Sequence, residues 1–67
     1  MKIEFDEQSN SMYIRFTNNH VEWTDNYASN VNVDMDKECL IVGIEILDFT
    51  NSIFYKQIKD ITENKET

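Results

Sequence analysis

Proline is absent from this 67-residue chain, and glycine occurs once, at Gly43. The usual suppliers of tight turns are therefore missing, and most chain reversals must be made by residues that carry a Cβ. Asparagine is the substitute: Asn10, Asn18, Asn19, Asn26 and Asn30 fall between the apolar runs. Its short polar side chain bonds to nearby backbone and tolerates positive φ. Cysteine also occurs once, as Cys39, which excludes an internal disulfide. One cysteine and one histidine fall short of the four ligands of a structural zinc site. A domain this small buries only about 60% of the surface its unfolded chain exposes. With neither disulfide nor metal, the missing stabilisation is expected from association, as a homodimer or with a partner protein.

Basic residues are scarce too. Six Lys and Arg face thirteen Asp and Glu, for a net charge of −7. Lys2, Arg15 and Lys37 are the basic residues of positions 1–49, and the charges beyond position 49 cancel, so the acidic excess lies in the first 49 residues. Nucleic-acid binding draws on Lys and Arg that displace counterions from phosphates, so direct DNA or RNA binding is not expected. A surface of this sign suits a basic protein partner, and also keeps a small protein dispersed. The longest apolar run, Cys39 to Ile44, is far too short to span a bilayer. No apolar stretch follows the first residues, and a lone thiol fits a reducing compartment, so the expected location is cytoplasmic.

What is present is alternation. Ile3 and Phe5 share one face of a first strand, Lys2 to Asp6, and Met12, Ile14 and Phe16 share one face of a second. Tyr13, Arg15 and Thr17 then face outward. Such period-two patterns mark strands with one buried side. Val21 to Thr24 reads as a third strand with Trp23 in the core, Asp25 to Asn30 as a loop or irregular strand, and Val31 to Asp36 as a fourth strand. The fifth, Cys39 to Leu47, is apolar on both sides: Leu40, Val42, Ile44 and Ile46 on one, Ile41 and Leu47 on the other. A doubly apolar strand is expected at the centre of a sheet or under a second layer. From Thr50 the period lengthens. Phe54, Ile58 and Ile61, with Ile53 alongside, predict an amphipathic helix capped by Thr50 or Asn51, its apolar side on the sheet. The expected architecture is one α+β domain. It comprises a four- to five-stranded antiparallel meander over residues 2–49 with sequential strands side by side, one C-terminal helix over 50–62, and a frayed tail over 63–67.

Four blocks carry a family resemblance: Lys2-Ile3-Glu4-Phe5-Asp6, Met12-Tyr13-Ile14-Arg15-Phe16, Val33-Asp34-Met35-Asp36 and Val42-Gly43-Ile44-Glu45-Ile46-Leu47-Asp48. In order and spacing they resemble the bacterial domain-of-unknown-function family number 2283, over roughly residues 2–49. The last block is the most specific. The family has a Gly-containing turn after its Val-Asp-x-Asp strand, where this chain has Lys37-Glu38-Cys39. The resemblance implies a small sheet protein. Through relatives that accompany small toxin-like proteins, it also implies an antitoxin-like role. It supplies no catalytic residues.

Candidate chemistry is thin. Asp34, Asp36 and Glu38 form D-x-D-x-E, but an EF-hand loop needs more oxygen ligands and a glycine at its sixth position. On a strand the three would share a solvated face. Glu45 interrupts an apolar strand and is expected to pair with Arg15 across the sheet. His20 stands alone in a turn, and Cys39 reads as a buried, inert thiol. No catalytic residue, metal ligand or cofactor site is expected. Tyr13, Arg15, Ile41 and Leu47 are expected to line an outer face that a partner covers. Asp34, Asp36 and Glu45 supply its charge. The reading is a non-enzymatic acidic interaction module, antitoxin-like or regulatory, acting on a basic protein. An alternative is a phage-encoded inhibitor of a host defence or nucleic-acid enzyme. A small metal-binding or hydrolytic protein fits least, since its polar groups do not converge.

Overall fold

The computed structural model describes residues 1–63, and the side chains of residues 1–60. The assignment of Ile61 to the apolar side of the helix, and of residues 64–67 of the expected tail over 63–67, lies outside the described residues, while Glu63 belongs to the helix rather than to a tail. Five strands form one antiparallel sheet: β1 (Lys2–Asp6), β2 (Ser11–Arg15), β3 (Trp23–Ala28), β4 (Val31–Met35) and β5 (Ile41–Ile46). A 3-10 turn, Phe49–Asn51, leads toward the helix α1 (Tyr55–Glu63). The expected antiparallel sheet and C-terminal helix are therefore present, with the helix short and the fold mostly β.

The strand order is β1-β2-β5-β4-β3. β3, β4 and β5 follow one another as a meander, and β1–β2 is a hairpin joined to it through β5. Strands β2 and β3 are thus not neighbours. The reason is visible in β5. Apolar on most of its length, it gains most by having a strand on each side, and the central position gives it β2 and β4. The connection over residues 16–22 then runs past the ends of β5 and β4. Neighbouring strands lie about 4.8 Å apart, so seven residues span the three gaps easily.

That connection is pinned by one carboxylate. Asp36, 4% exposed, follows β4. Its Oδ1 accepts from the Glu38 and Leu40 backbone N–H groups at 2.8 and 3.0 Å, closing the β4–β5 turn. Its Oδ2 accepts from the Asn19 amide at 3.1 Å, tethering the connection to that turn. The Leu40 N–H above all, helped by Asn19, the Glu38 N–H and Lys37, holds the Asp36 carboxyl below its ordinary range, against the opposing effect of burial. Asp36 is therefore a turn organiser rather than one of three acids on a solvated face, as the D-x-D-x-E spacing had implied.

Among the described residues, three non-glycine residues have positive φ: Asn10, Cys39 and Asp48. Of the five asparagines expected at turns, Asn10 alone takes up this conformation. Asn26 instead lies inside β3, where the strand bulges between Asn26 and Ala28. Cys39, at φ 66°, stands in the β4–β5 turn. Its side chain is exposed, not buried, as are those of its turn neighbours Lys37, Glu38 and Leu40.

The packed centre lies between one side of the sheet and the C-terminal segment. Met12, Ile46 and Phe49 are buried together, with Ile14, Ile44, Phe54, Tyr55 and Ile58 against them. The Phe49 ring sits 5.7 Å from Phe5 and meets Tyr55 edge-on at 5.4 Å, a favourable aromatic geometry. Helix α1 starts later than its apolar periodicity suggests. Thr50 and Asn51 belong to the 3-10 turn, and Ser52 Oγ accepts from the Phe54 N–H at 3.3 Å. Ile53, expected on the sheet, falls in the bend between the two and is 87% exposed.

Two substitutions test this account. Cys39→Gly relieves a left-handed backbone that costs an L-residue about 1–2 kcal/mol, less the greater freedom of glycine when unfolded. Urea unfolding should show a net gain of about 0.5–1 kcal/mol; an unchanged or lower midpoint would mean the turn is not held as described. Asp36→Asn tests the carboxylate. Because the folded carboxyl titrates lower than the unfolded one, its contribution is present above about pH 4 and is lost as pH falls below that. The stability of Asp36→Asn should therefore be lower near neutrality and should decline less on acidification below about pH 4. Parallel pH profiles would refute the role assigned to Asp36.

Candidate functional site

The two sides of the sheet differ in kind. On the outer side, alternation places Glu4, Tyr13, Glu45, Asn32 and Asn26 in one cross-strand row, and Lys2, Arg15, Gly43, Asp34 and Thr24 in the next. Tyr13 is the long member. Its ring lies across Gly43, and its hydroxyl donates to Asp34 Oδ2 at 2.6 Å, bridging from β2 over β5 to β4. Thr24 Oγ donates to the other oxygen, Asp34 Oδ1, at 2.6 Å. The Arg15 guanidinium stacks 5.1 Å from the Tyr13 ring centre. In the neighbouring row the Asn26 amide donates to Asn32 at 2.9 Å, and Asn32 donates to Glu45 at 3.2 Å.

This geometry explains Gly43. A Cβ there would overlap the Tyr13 ring, with ring carbon Cε2 at 2.7 Å and the hydroxyl end nearer still. The glycine clears a path for a side chain that ties three strands together. Partial burial raises the Tyr13 phenol to about 12, and the Asp34 carboxylate adds to this by accepting its hydrogen bond and repelling the phenolate. The phenol therefore remains a donor throughout the neutral range.

Of the residues expected to form one outer face, the structure brings together Tyr13, Arg15, Asp34 and Glu45, which line a shallow depression of about 430 Å³. Glu45 is held by Asn32 rather than by Arg15. Asp36 lies apart, in the turn. Ile41 was assigned to this face and is on the opposite one. The register shifts between Asp34 and Met35, so that Met35 pairs with Ile41 and Asp34 with Gly43, leaving Val42 as a bulge. The extra residue turns Ile41 inward, where it lines the same groove as Ile44 and Ile46. Leu47 lies past the end of β5, with its N–H on the Asn30 carbonyl at 2.8 Å. His20 and Glu38 share a shallow polar recess with Asp36. Among the described residues, no group of three or more His, Cys, Asp or Glu is placed to hold a metal ion.

The inner side carries two apolar openings, one of about 600 Å³ between β1 and α1 and one on the side of β3. Beside α1 a groove of about 450 Å³ is floored by Val31, Val33, Met35, Ile44 and Ile46 and walled by Phe54 and Ile58. Its outer rim is β3. Trp23, expected in the core, is 39% exposed, and Tyr27 at the bulge is 82% exposed. Sequence reasoning missed this groove because the helix periodicity implied a longer cover than nine residues provide. It also missed Thr24 and Asn32 as network members, although both fall at outward positions once β3 is seen to run on to Ala28.

The Tyr13–Gly43 packing predicts a specific non-additivity. Gly43→Ala should cost about 2 kcal/mol in an otherwise native chain, the usual range for overpacking. In a Tyr13→Ala background, where the ring is gone, the same substitution should be nearly neutral, a coupling that chemical unfolding of the four variants measures directly. Equal costs in both backgrounds would mean the ring does not occupy the space above Gly43.

Among the described residues no helix is long and apolar enough to cross a membrane. No curated protein matches the chain, and no solved structure matches it. A family model described as a protein of unknown function, DUF2283, matches residues 2–49, from the first residue of β1 to the start of the 3-10 turn. The matched span includes Gly43, the tyrosine that crosses it and the aspartate that organises the β4–β5 turn. The chain belongs to the DUF2283 family.

Proposed function

We propose that this chain is a non-enzymatic interaction module that regulates a basic protein in an antitoxin-like manner, by docking it on the sheet. The observation that supports this reading is the partly covered inner face: a groove beside α1 in which Val31, Met35 and Ile44 are half-buried and Ile41 and Tyr27 are exposed. Open apolar surface of this kind in a small acidic domain suits a protein partner. The net charge of −7 adds long-range attraction for a basic one. The outer face suits a partner less well, since both oxygens of Asp34 and one of Glu45 are already occupied by neighbouring side chains.

Tagged chain recovered from the cells that naturally make it should carry a basic protein in fixed stoichiometry. The paired change Trp23→Ser with Ile41→Ser removes two apolar side chains that are each over a third exposed, and should release that protein while leaving the circular dichroism spectrum unchanged. Light-scattering mass of the purified chain alone distinguishes the competing use of the same face, self-association. Recovery of no stoichiometric partner, or recovery unaffected by the paired change, would overturn the reading.

A further inference from the structure

The groove beside α1 contains one carboxylate among its described lining residues, Asp25. Its position follows from register. Asp25 pairs with Val33, and partners across an antiparallel pair point to the same side, so this carboxylate projects onto the apolar face with Trp23 and Tyr27 as neighbours along β3. Asp25 is exposed, and no side chain among the described residues bonds to it. The other described groove-lining residues are Ile14, Tyr27, three valine or methionine positions of β4, three isoleucines of β5, and Phe54 and Ile58; none of these is basic.

We propose that this groove receives an amphipathic basic helix of a partner protein, lying beside α1, with apolar side chains seated on β4 and β5 and a Lys or Arg against Asp25. The proposal rests on the interaction reading above and specifies what occupies the face.

Three features select that occupant. The first is size. Five strands about 4.8 Å apart make a sheet about 19 Å between its outer axes, whereas a helix with its side chains is about 10 Å across. One helix covers half such a sheet, and α1 lies against Met12, Ile46 and Phe49, leaving room for a second helix on the β3 side. The second is the edge. Strand addition at β3 is disfavoured by the bulge between Asn26 and Ala28 and by the inward carboxylate itself, two features that protect sheet edges. The third is charge. If two copies of the chain met groove to groove, both Asp25 carboxylates would be dehydrated with no basic residue among the described lining to meet them, in a pair carrying −7 on each member. A cation brought by the partner removes that penalty and gives register along the groove, as a charge-assisted hydrogen bond does.

The full chain can be titrated with a fluorescein-labelled Leu/Lys amphipathic peptide of about 15 residues, the length at which isolated helices begin to hold. A peptide with the same apolar pattern and Glu in place of Lys serves as control. The Lys peptide should bind, quench or shift Trp23 fluorescence, and move the amide resonances of β3, β4 and α1 while leaving those of β1 in place. Asp25→Asn should weaken its binding about tenfold, the equivalent of 1.4 kcal/mol. Glu7→Gln, an equal loss of charge in the β1–β2 turn, should weaken it less than twofold. Equal losses in the two variants would reduce the effect to general electrostatics and overturn the proposal. So would resonance shifts outside the groove, or a chain that dimerises through the groove and is not displaced by the peptide. A failure here combined with a native partner still lost on Trp23→Ser with Ile41→Ser would remove the basic helix and leave the interaction reading standing.

Discussion

The carboxylate of Asp36 is the constraint on which the rest of the sheet depends. A chain with one glycine and no proline has to close its longest-range connection and its tightest central turn without the residues that do this most easily. Asp36 does both from one side chain, accepting two backbone N–H groups of the β4–β5 turn and the Asn19 amide of the β2–β3 connection. Its backbone N–H also bonds the Leu40 carbonyl, and its carbonyl accepts from Cys39, so the turn is held from within as well. With the turn closed, β4 and β5 register. With the connection tethered, β3 is delivered to the far edge, and β5 is left free to take β2 as its second neighbour. The non-sequential order that the apolar β5 favours is held in place by this one acid.

A central β5 then sets the contrast between the two faces. Its outward positions are Gly43 and Glu45, and the space over Gly43 is filled by Tyr13 reaching to Asp34. This outer surface is polar and cross-linked, strand to strand, by side chains that bond one another. The inner surface is aliphatic, made more so by the Val42 bulge that adds Ile41 to it. The nine helical residues described, Tyr55–Glu63, are too few to cover five strands. The same sequence thus produces a finished face and an unfinished one.

Much of this was legible in the chain itself, and the exceptions have physical causes. Period-two alternation located β1, β2 and β4 closely, and the doubly apolar Cys39–Leu47 run indicated a central strand. Alternation counts residues, however, and a bulge is an uncounted one. Val42 moved Ile41 to the other face, and the irregularity at Tyr27 made half of β3 look like loop. Pairing order was not legible either, because the preference for sequential neighbours is weaker than the gain from giving β5 two partners. The Asp34-x-Asp36-x-Glu38 pattern looked like one charged face because spacing does not reveal where a strand stops. β4 ends at Met35, and Asp36 already belongs to the turn. Of the outer-face residues, Tyr13, Arg15, Asp34 and Glu45 were found together, while the apolar pair Ile41 and Leu47 was not.

The internal bonding of the outer face bears on how an acidic module of this size selects a partner. An acid whose oxygens are already hydrogen-bonded offers a partner little beyond its field, since a new contact must displace an existing one. Asp34 is in that position, with Thr24 on one oxygen and Tyr13 on the other. Asp6 and Asp48 also accept from neighbouring residues, and Glu4 pairs with Lys2 at 3.3 Å. These charges contribute attraction at a distance, which raises encounter rates and falls with salt. Specificity requires a polar group with open bonding capacity next to surface that water leaves on contact, where an unmatched charge is penalised and a matched one is not. Asp25 meets both conditions on the inner face, and Asp34 on the outer face meets neither.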